Sequence, residues 1–187
     1  MDSAQTTPTN QPKEGQRPVP LTPAELAALV SSASTAHGLP SSLVAAMVQV
    51  ESAGVTDATR FEPAFYTRYV QPAKLTFTAP GYTPDQERKG LATSWGLLQV
   101  MGDTARCLGF REPFEQLLDP PTGLYWGCQL IMRLRDRVFD PWGWAAVCAA
   151  YNGGLGAVRS DGSFSNPQYP AKVLAKLGGQ WPPKEQA

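Results

Sequence analysis

Glu51 closes the stretch AAMVQVESAG, and its helical neighbours at i−3, i−4, i−7 and i−8 are Val48, Met47, Val44 and Leu43. A helix turns such a stripe toward its core. The pattern therefore sets a carboxylate where a hydrophobe would be less costly. A buried acid either finds a partner or holds its proton near neutral pH. Held so, it can serve as a general acid. Paired with an arginine, or reaching water at a frayed helix end, it is only structural, and helix position alone leaves both readings open. The remaining acids have plainer assignments. Glu25, Asp103, Asp119 and Asp140 stand at predicted helix starts, Asp85 in a first turn, and Asp136 beside Arg137 on a solvated face. Asp57, Glu62, Glu87, Glu112 and Glu115 are left over, and none continues a long apolar stripe. The chain has one histidine, His37, and three cysteines, Cys107, Cys128 and Cys148, with no CxxC pair. That is little material for a zinc site, so no metal and no cofactor is expected. The cysteines read as small core residues, and His37 as a helix-end residue favoured by the dipole.

The elements that must position Glu51 are mostly helical. Thr22, Pro23 and Glu25 predict a capping box with Pro at the first helical position, and Gly38 ends that helix. The helix carrying Glu51 follows and stops near Gly54. A short helix is expected in PAFYTRYV, a loop over 71–83, and a helix capped by Thr83 with Gln86 in the box position. SWGLLQVMGDTARCLGF reads as a turn and a short helix capped at Asp103. DPPTGLYWGCQLIMRLRDRVFD predicts a longer helix with Leu124, Cys128, Ile131, Leu134 and Val138 on one face. DPWGWAAVCAAYNGG, capped at Asp140, is apolar nearly all round and reads as a buried central helix. NPQYPAKVLAKLGG gives a last helix. Period-2 alternation is short, and KLTFT is the one candidate strand or hairpin edge. The fold class expected is mainly α, one domain over 21–180, with at most a small β-hairpin. Residues 1–20 read as a flexible leader and 181–187 as a tail.

The 187 residues are 42% apolar with zero formal net charge. The size suffices for one sizeable core. A neutral chain is not expected to bind nucleic acid. No stretch approaches the roughly 20 apolar residues of a membrane span, so no membrane insertion is expected. The N-terminal MDSAQTTPTNQPKEG has neither a basic n-region nor an apolar h-region. The expectation is a monomer made in the cytoplasm.

Three stretches belong together: ESAG at 51–54, SWGLLQVM at 94–101 and AAYNGG at 149–154. Their order, spacing and helical setting resemble the soluble lytic transglycosylase family, which shares a lysozyme-like fold with goose-type lysozyme. Met101-Gly102 and the aromatic Glu62-Pro63 region look most like its phage-type branch. The resemblance implies action on peptidoglycan glycan strands at the cell wall or periplasm; the expected lack of a signal peptide and the flexible leader suit a phage endolysin, a virion-associated enzyme or a module of a secretion system. It implies cleavage of the β-1,4 bond from N-acetylmuramic acid to N-acetylglucosamine, with Glu51 as acid and then base and a 1,6-anhydro end as product. Most glycosidases flank the bond with two carboxylates; here the substrate acetamido group would stand in for the second.

The same resemblance implies the binding residues, each with a plainer reading beside it. Ser52 follows the acid and could instead bond local backbone. Gly96 would let backbone approach the sugar. Gln99 would bind sugar hydroxyls or acetamido groups, or satisfy buried backbone. Met101 would pack on a sugar face or in the core. Tyr151 would orient Glu51 through its hydroxyl, and Asn152 would bind substrate or cap its helix. Trp95, Phe65, Tyr66 and Tyr69 are candidates for stacking on sugar rings. One departure stands out. Many members have a serine six residues before the glycine of the second motif, and goose-type lysozymes an aspartate; here the position is Gly90. Glu62 or Glu87 could supply a carboxylate from elsewhere. Two alternatives to transglycosylation follow: a hydrolytic muramidase on the same fold, or a non-catalytic wall-binding virion domain.

Overall fold

A computed structural model describes residues 21–183. The expected leader, 1–20, and the end of the expected tail lie outside the described residues. The elements run α1 (Pro23–Ala36), α2 (Ser41–Glu51), β1 (Thr59–Phe61), α3 (Pro63–Phe65) continued by a π-helical turn (Tyr66–Val70), α4 (Pro84–Leu91), β2 (Thr93–Trp95), β3 (Val100–Met101), α5 (Gly102–Leu108), a 3-10 turn (Phe114–Leu118), α6 (Pro120–Gly153), a second 3-10 turn (Leu155–Ala157) and α7 (Gln168–Lys176). The class is mainly α with a small antiparallel sheet, as the sequence predicts.

Local chemistry sets most helix starts. Thr22 and Glu25 form the expected capping box, and Thr83 with Gln86 forms a second. Asp119 accepts from the Thr122 N–H and caps α6. Two starts differ. The cap of α5 is Met101 rather than Asp103, because the chain enters this helix directly from β3. The helix predicted to begin at Asp140 starts later: two helices meet at a kink within α6. The break falls at Gly143, whose φ of 69° and ψ of −166° suit only glycine. Pro141 lies inside α6, where it has no N–H to donate to the preceding turn.

KLTFT forms no strand. The sheet has the order β1-β2-β3, with Thr59 opposite Trp95 and Ser94 opposite Met101. Side chains alternate across it. Arg60 and Ser94 face one cavity; Thr59, Phe61, Thr93 and Trp95 face another on the reverse side.

One core joins α1, α2, α6 and α7, with Leu43, Val44, Met47, Leu98, Leu124, Ile131, Val147 and Val173 all at or below 1% exposure. Cys128 and Cys148 are buried there, as expected, whereas Cys107 is exposed on α5. His37 Nδ1 bonds the Ala33 carbonyl oxygen at 2.7 Å, at the end of α1. Packing continues past residue 180: Trp181 lies against the core, and Trp144 Nε1 donates to the Pro183 carbonyl. No helix among the described residues is long and apolar enough to cross a membrane.

Candidate active site

The apolar stripe of α2 is buried as predicted, with Leu43, Val44, Met47 and Val48 inside. Glu51 is its last residue and projects from the buried side into a groove of about 720 Å³. The hydroxyl of Tyr169, in the first turn of α7, donates to Glu51 Oε1 at 2.5 Å. Burial pushes the Glu51 carboxyl above its ordinary value, and the Tyr169 hydrogen bond and the Arg60 charge oppose that rise. The net result favours the protonated acid more than water would. Tyr169 is itself buried beside this carboxylate, and desolvation holds its phenol well above the ordinary range.

The groove wall opposite α2 is organised by residues 96–99. Gly96 has φ 68°, and a Cβ there would drive into the Leu117 carbonyl. Gln99 has φ 46°, uncommon for a side chain of its size. Its Nε2 donates to both the Ala58 and Gly96 carbonyls at 2.9 Å. Those two bonds use both N–H donors of the amide and leave its oxygen available. The Leu97 carbonyl accepts from Ser52 Oγ at 2.9 Å. The Leu98 carbonyl accepts from the Tyr151 hydroxyl at 2.5 Å. Short backbone turns thus tie the ends of α2 and α6 and the chain before β1 to one segment.

Glu51, Gln99, Met101, Tyr151 and Asn152 all line the groove. Ser52 and Gly96 do not. Ser52 also bonds the Val48 carbonyl and receives the Gly54 N–H, so it stitches the chain turn after α2. The close approach that Gly96 permits is to the Leu117 backbone, not to the groove. The expected partnership of Tyr151 with Glu51 is corrected: Tyr151 donates to Leu98, and Tyr169 takes the place beside the acid. Asn152 does not cap α6, which ends at Gly154 with φ 73°; its Oδ1 accepts from Asn166 Nδ2 at 2.9 Å. Ser94 Oγ donates to Met101 Sδ at 3.1 Å, which fixes the thioether at the groove wall.

Of the aromatic candidates, Phe65 at the end of α3 and Tyr69 on the π-helical turn line the groove, their ring centroids 5.1 Å apart. Tyr66 packs on Phe61 instead. Trp95 faces the reverse cavity, stacked on Phe114 at 5.7 Å with its Nε1 donating to the Gly90 carbonyl. Of the two spare carboxylates, Glu87 is structural. It is 1% exposed, accepts two bonds from the Arg106 guanidinium at 2.7 and 3.1 Å, and takes the Ala79 N–H. Glu62 lines the groove, with Arg60 Nε 2.6 Å from its Oε1.

Sequence reasoning missed Tyr169, Arg60, Ser94 and Thr104 as groove or acid neighbours. A signal for Tyr169 existed: Tyr169 and Val173 are spaced i, i+4, and a tyrosine on a buried face needs a partner for its hydroxyl. No group of three or more His, Cys, Asp or Glu among the described residues is placed to hold a metal ion.

No curated protein and no solved structure matches the chain. A family model described as "Transglycosylase SLT domain" matches residues 28–171, which include α2, the 96–101 segment, all of α6 and Tyr169. That match spans well over half of the chain and takes in the acid, its tyrosine and the groove walls; the chain belongs to the transglycosylase SLT family, whose activity is lytic transglycosylation of peptidoglycan.

Proposed function

We propose that this protein cleaves the β-1,4 bond from N-acetylmuramic acid to N-acetylglucosamine with Glu51 as the proton-transfer group. Protonated Glu51 gives its proton to the leaving O4 of N-acetylglucosamine. The acetamido oxygen of the muramic residue attacks C1 as the C1–O4 bond breaks, which leaves a cyclic oxazolinium. The 6-hydroxyl of the same residue then attacks C1 and gives its proton to Glu51. The C1–oxygen bond to the acetamido group breaks, and the product is a 1,6-anhydro end. No water is consumed and no metal or cofactor takes part.

The observation that carries this reading is Glu51, half-buried at the end of α2, held by Tyr169 and open to a large groove. A general acid needs its proton at working pH, and partial burial moves the carboxyl in that direction. Gln99 and Met101 on one wall, Phe65 and Tyr69 on another, offer polar and flat apolar surface to a sugar chain. The cell wall is the proposed place of action because the substrate lies there. A hydrolytic muramidase is the second reading, and Glu62 is the observation favouring it: a second carboxylate in the groove could orient water. A non-catalytic wall-binding role leaves the built environment of Glu51 unexplained.

Mass analysis of purified peptidoglycan digested by wild type and Glu51→Gln tests the proposal. Anhydro-muropeptides from wild type and none from the variant are expected. Reducing-end muropeptides from wild type would select the hydrolase. Equal digestion by the variant would remove Glu51 from the chemistry.

A further inference from the structure

We propose that Glu62 is a second catalytic residue, which receives the acetamido N–H of the muramic residue and stabilises the positive charge that develops when that group attacks C1. This inference rests on the substrate-assisted reading above. The scheme asks for an acceptor at the acetamido group, because the ring formed on it is cationic. The N–H becomes a stronger donor as the charge develops, so an anionic acceptor is worth more in the transition state than in the ground state.

Position 90, where a serine or aspartate would stand in relatives, cannot provide that acceptor. Gly90 is buried in α4, and a Cβ there would collide with the Phe114 ring. Its backbone also faces the reverse cavity, where its carbonyl accepts from Trp95. Glu87, the other spare acid, is locked to Arg106. Ser94 lines the groove, but the residue is only 3% exposed and its hydroxyl is turned onto Met101.

Glu62 meets the requirement. It follows β1, its backbone N–H is fixed to the Ala92 carbonyl at 2.8 Å, and its carboxylate lines the same groove as Glu51. Arg60 Nε lies 2.6 Å away, yet Oε1 is buried and receives no aligned hydrogen bond. Arg60 thus covers Oε1, and because the Glu62 side chain is 32% exposed and lines the groove, the other carboxylate oxygen is the acceptor a ligand would meet. Arg60 keeps the pair close to neutral overall, which limits the repulsion that a bare second carboxylate would impose on Glu51. Glu62 makes and breaks no covalent bond: it accepts a hydrogen bond, and Glu51 carries every proton.

The test is Glu62→Gln, with melting followed alongside kinetics. An amide keeps the shape and removes the charge. The expected loss is about 10²–10³-fold in kcat with little change in KM, the scale seen when one preorganised transition-state contact is removed. The remaining product stays anhydro-terminated. A thiazoline analogue of N-acetylmuramic acid, which mimics the cyclic cation, should bind Glu62→Gln at least about 10-fold more weakly, while a plain N-acetylglucosamine oligomer binds both proteins alike. A variant within threefold of wild type in kcat overturns the assignment. So does a thiazoline affinity that follows the plain oligomer, which would mark a structural role. Wild type that yields reducing ends, lost selectively in Glu62→Gln, overturns it in favour of water positioning. If Glu62→Gln does not fold, Glu62→Asp takes its place and must lose thiazoline affinity beyond its loss for the oligomer. Loss of all cleavage in Glu51→Gln together with wild-type kcat in Glu62→Gln leaves the proposed function standing and removes only this inference.

Discussion

Replacing Tyr169 by Phe removes one hydroxyl and leaves the ring that packs between α2 and α7. That hydroxyl donates to Glu51 Oε1 at 2.5 Å. It favours the ionised carboxylate, against the burial that disfavours it. A hydrogen bond to a charged group contributes about 1.5–3 kcal/mol. At 1.36 kcal/mol per pKa unit, its loss raises the Glu51 pKa further, by about one to two units. In the proposed scheme the free enzyme carries the proton on Glu51, so kcat/KM falls as pH rises through this pKa. The alkaline limb of the pH profile should therefore move to higher pH in Tyr169→Phe by about one to two units. The plateau should drop as well, because the carboxyl is no longer held, by up to about 10²-fold for a misplaced catalytic group. The assay is the rate of release of soluble muropeptides from purified peptidoglycan, followed across pH with enzyme stability checked at each point. A variant whose profile is lowered uniformly, with the limb unmoved, would reduce Tyr169 to a packing residue. A limb that moved toward acid would contradict the argument outright.

Glu51→Gln should abolish cleavage and melt higher than wild type at neutral pH. Burial raises the Glu51 pKa above its ordinary 4.5, so between that value and the folded value the native chain binds more protons than the unfolded one. Stability then falls as pH rises through this window; calorimetry should find the advantage of the variant absent below that range, growing with pH through it and constant above it. Glu87→Ala strands the Arg106 guanidinium, 9% exposed, against Phe114. A cost of about 3–5 kcal/mol is expected, read by urea unfolding, while kcat per folded molecule stays within a few fold because Glu87 lies outside the groove. Gly90→Ala should cost about 1–3 kcal/mol through overpacking against Phe114; melting within a degree of wild type would show that the ring yields freely.

Helices were legible because their signals are local. The boxes Thr22/Glu25 and Thr83/Gln86 lie within four residues, and the α2 stripe lies within nine. The sheet was not legible. Its strands have three, three and two residues, too short for a period, and they exist because β1 pairs with a segment more than thirty residues later. KLTFT has alternation but no neighbour to pair with, and Phe77 lies 5.1 Å from the Arg106 guanidinium instead. The burial of Glu87 was hidden for a similar reason. PDQERKGL reads as a polar helix, and only Arg106, nineteen residues on, makes a buried acid tolerable there. The position of Glu51, at the end of a buried stripe and on a groove, was legible because its own helix marks it. Its partner was misassigned because two tyrosines end up near it, and the nearer choice of motif, Tyr151, is used by the Leu98 carbonyl.

The segment 96–99 explains why three short motifs far apart in sequence form one site. A groove needs walls whose relative positions are fixed to within fractions of an ångström for catalysis. Helix packing alone fixes them less well than directional bonds do. Here consecutive carbonyls, those of Leu97 and Leu98, take the hydroxyls of Ser52 and Tyr151, one from the residue after the acid and one from the far wall. Gln99 then clamps the Ala58 carbonyl just ahead of β1, the strand that delivers Arg60 and leads into Glu62. Presenting three neighbours in three directions requires a tight reversal, and the positive φ of Gly96 and of Gln99 provides it. The strain at Gln99 is offset by the two bonds its amide makes in that conformation. The second motif therefore acts as a fastening of acid, tyrosine and strand, and leaves its remaining groups, the Gln99 oxygen and the Met101 thioether, at the groove.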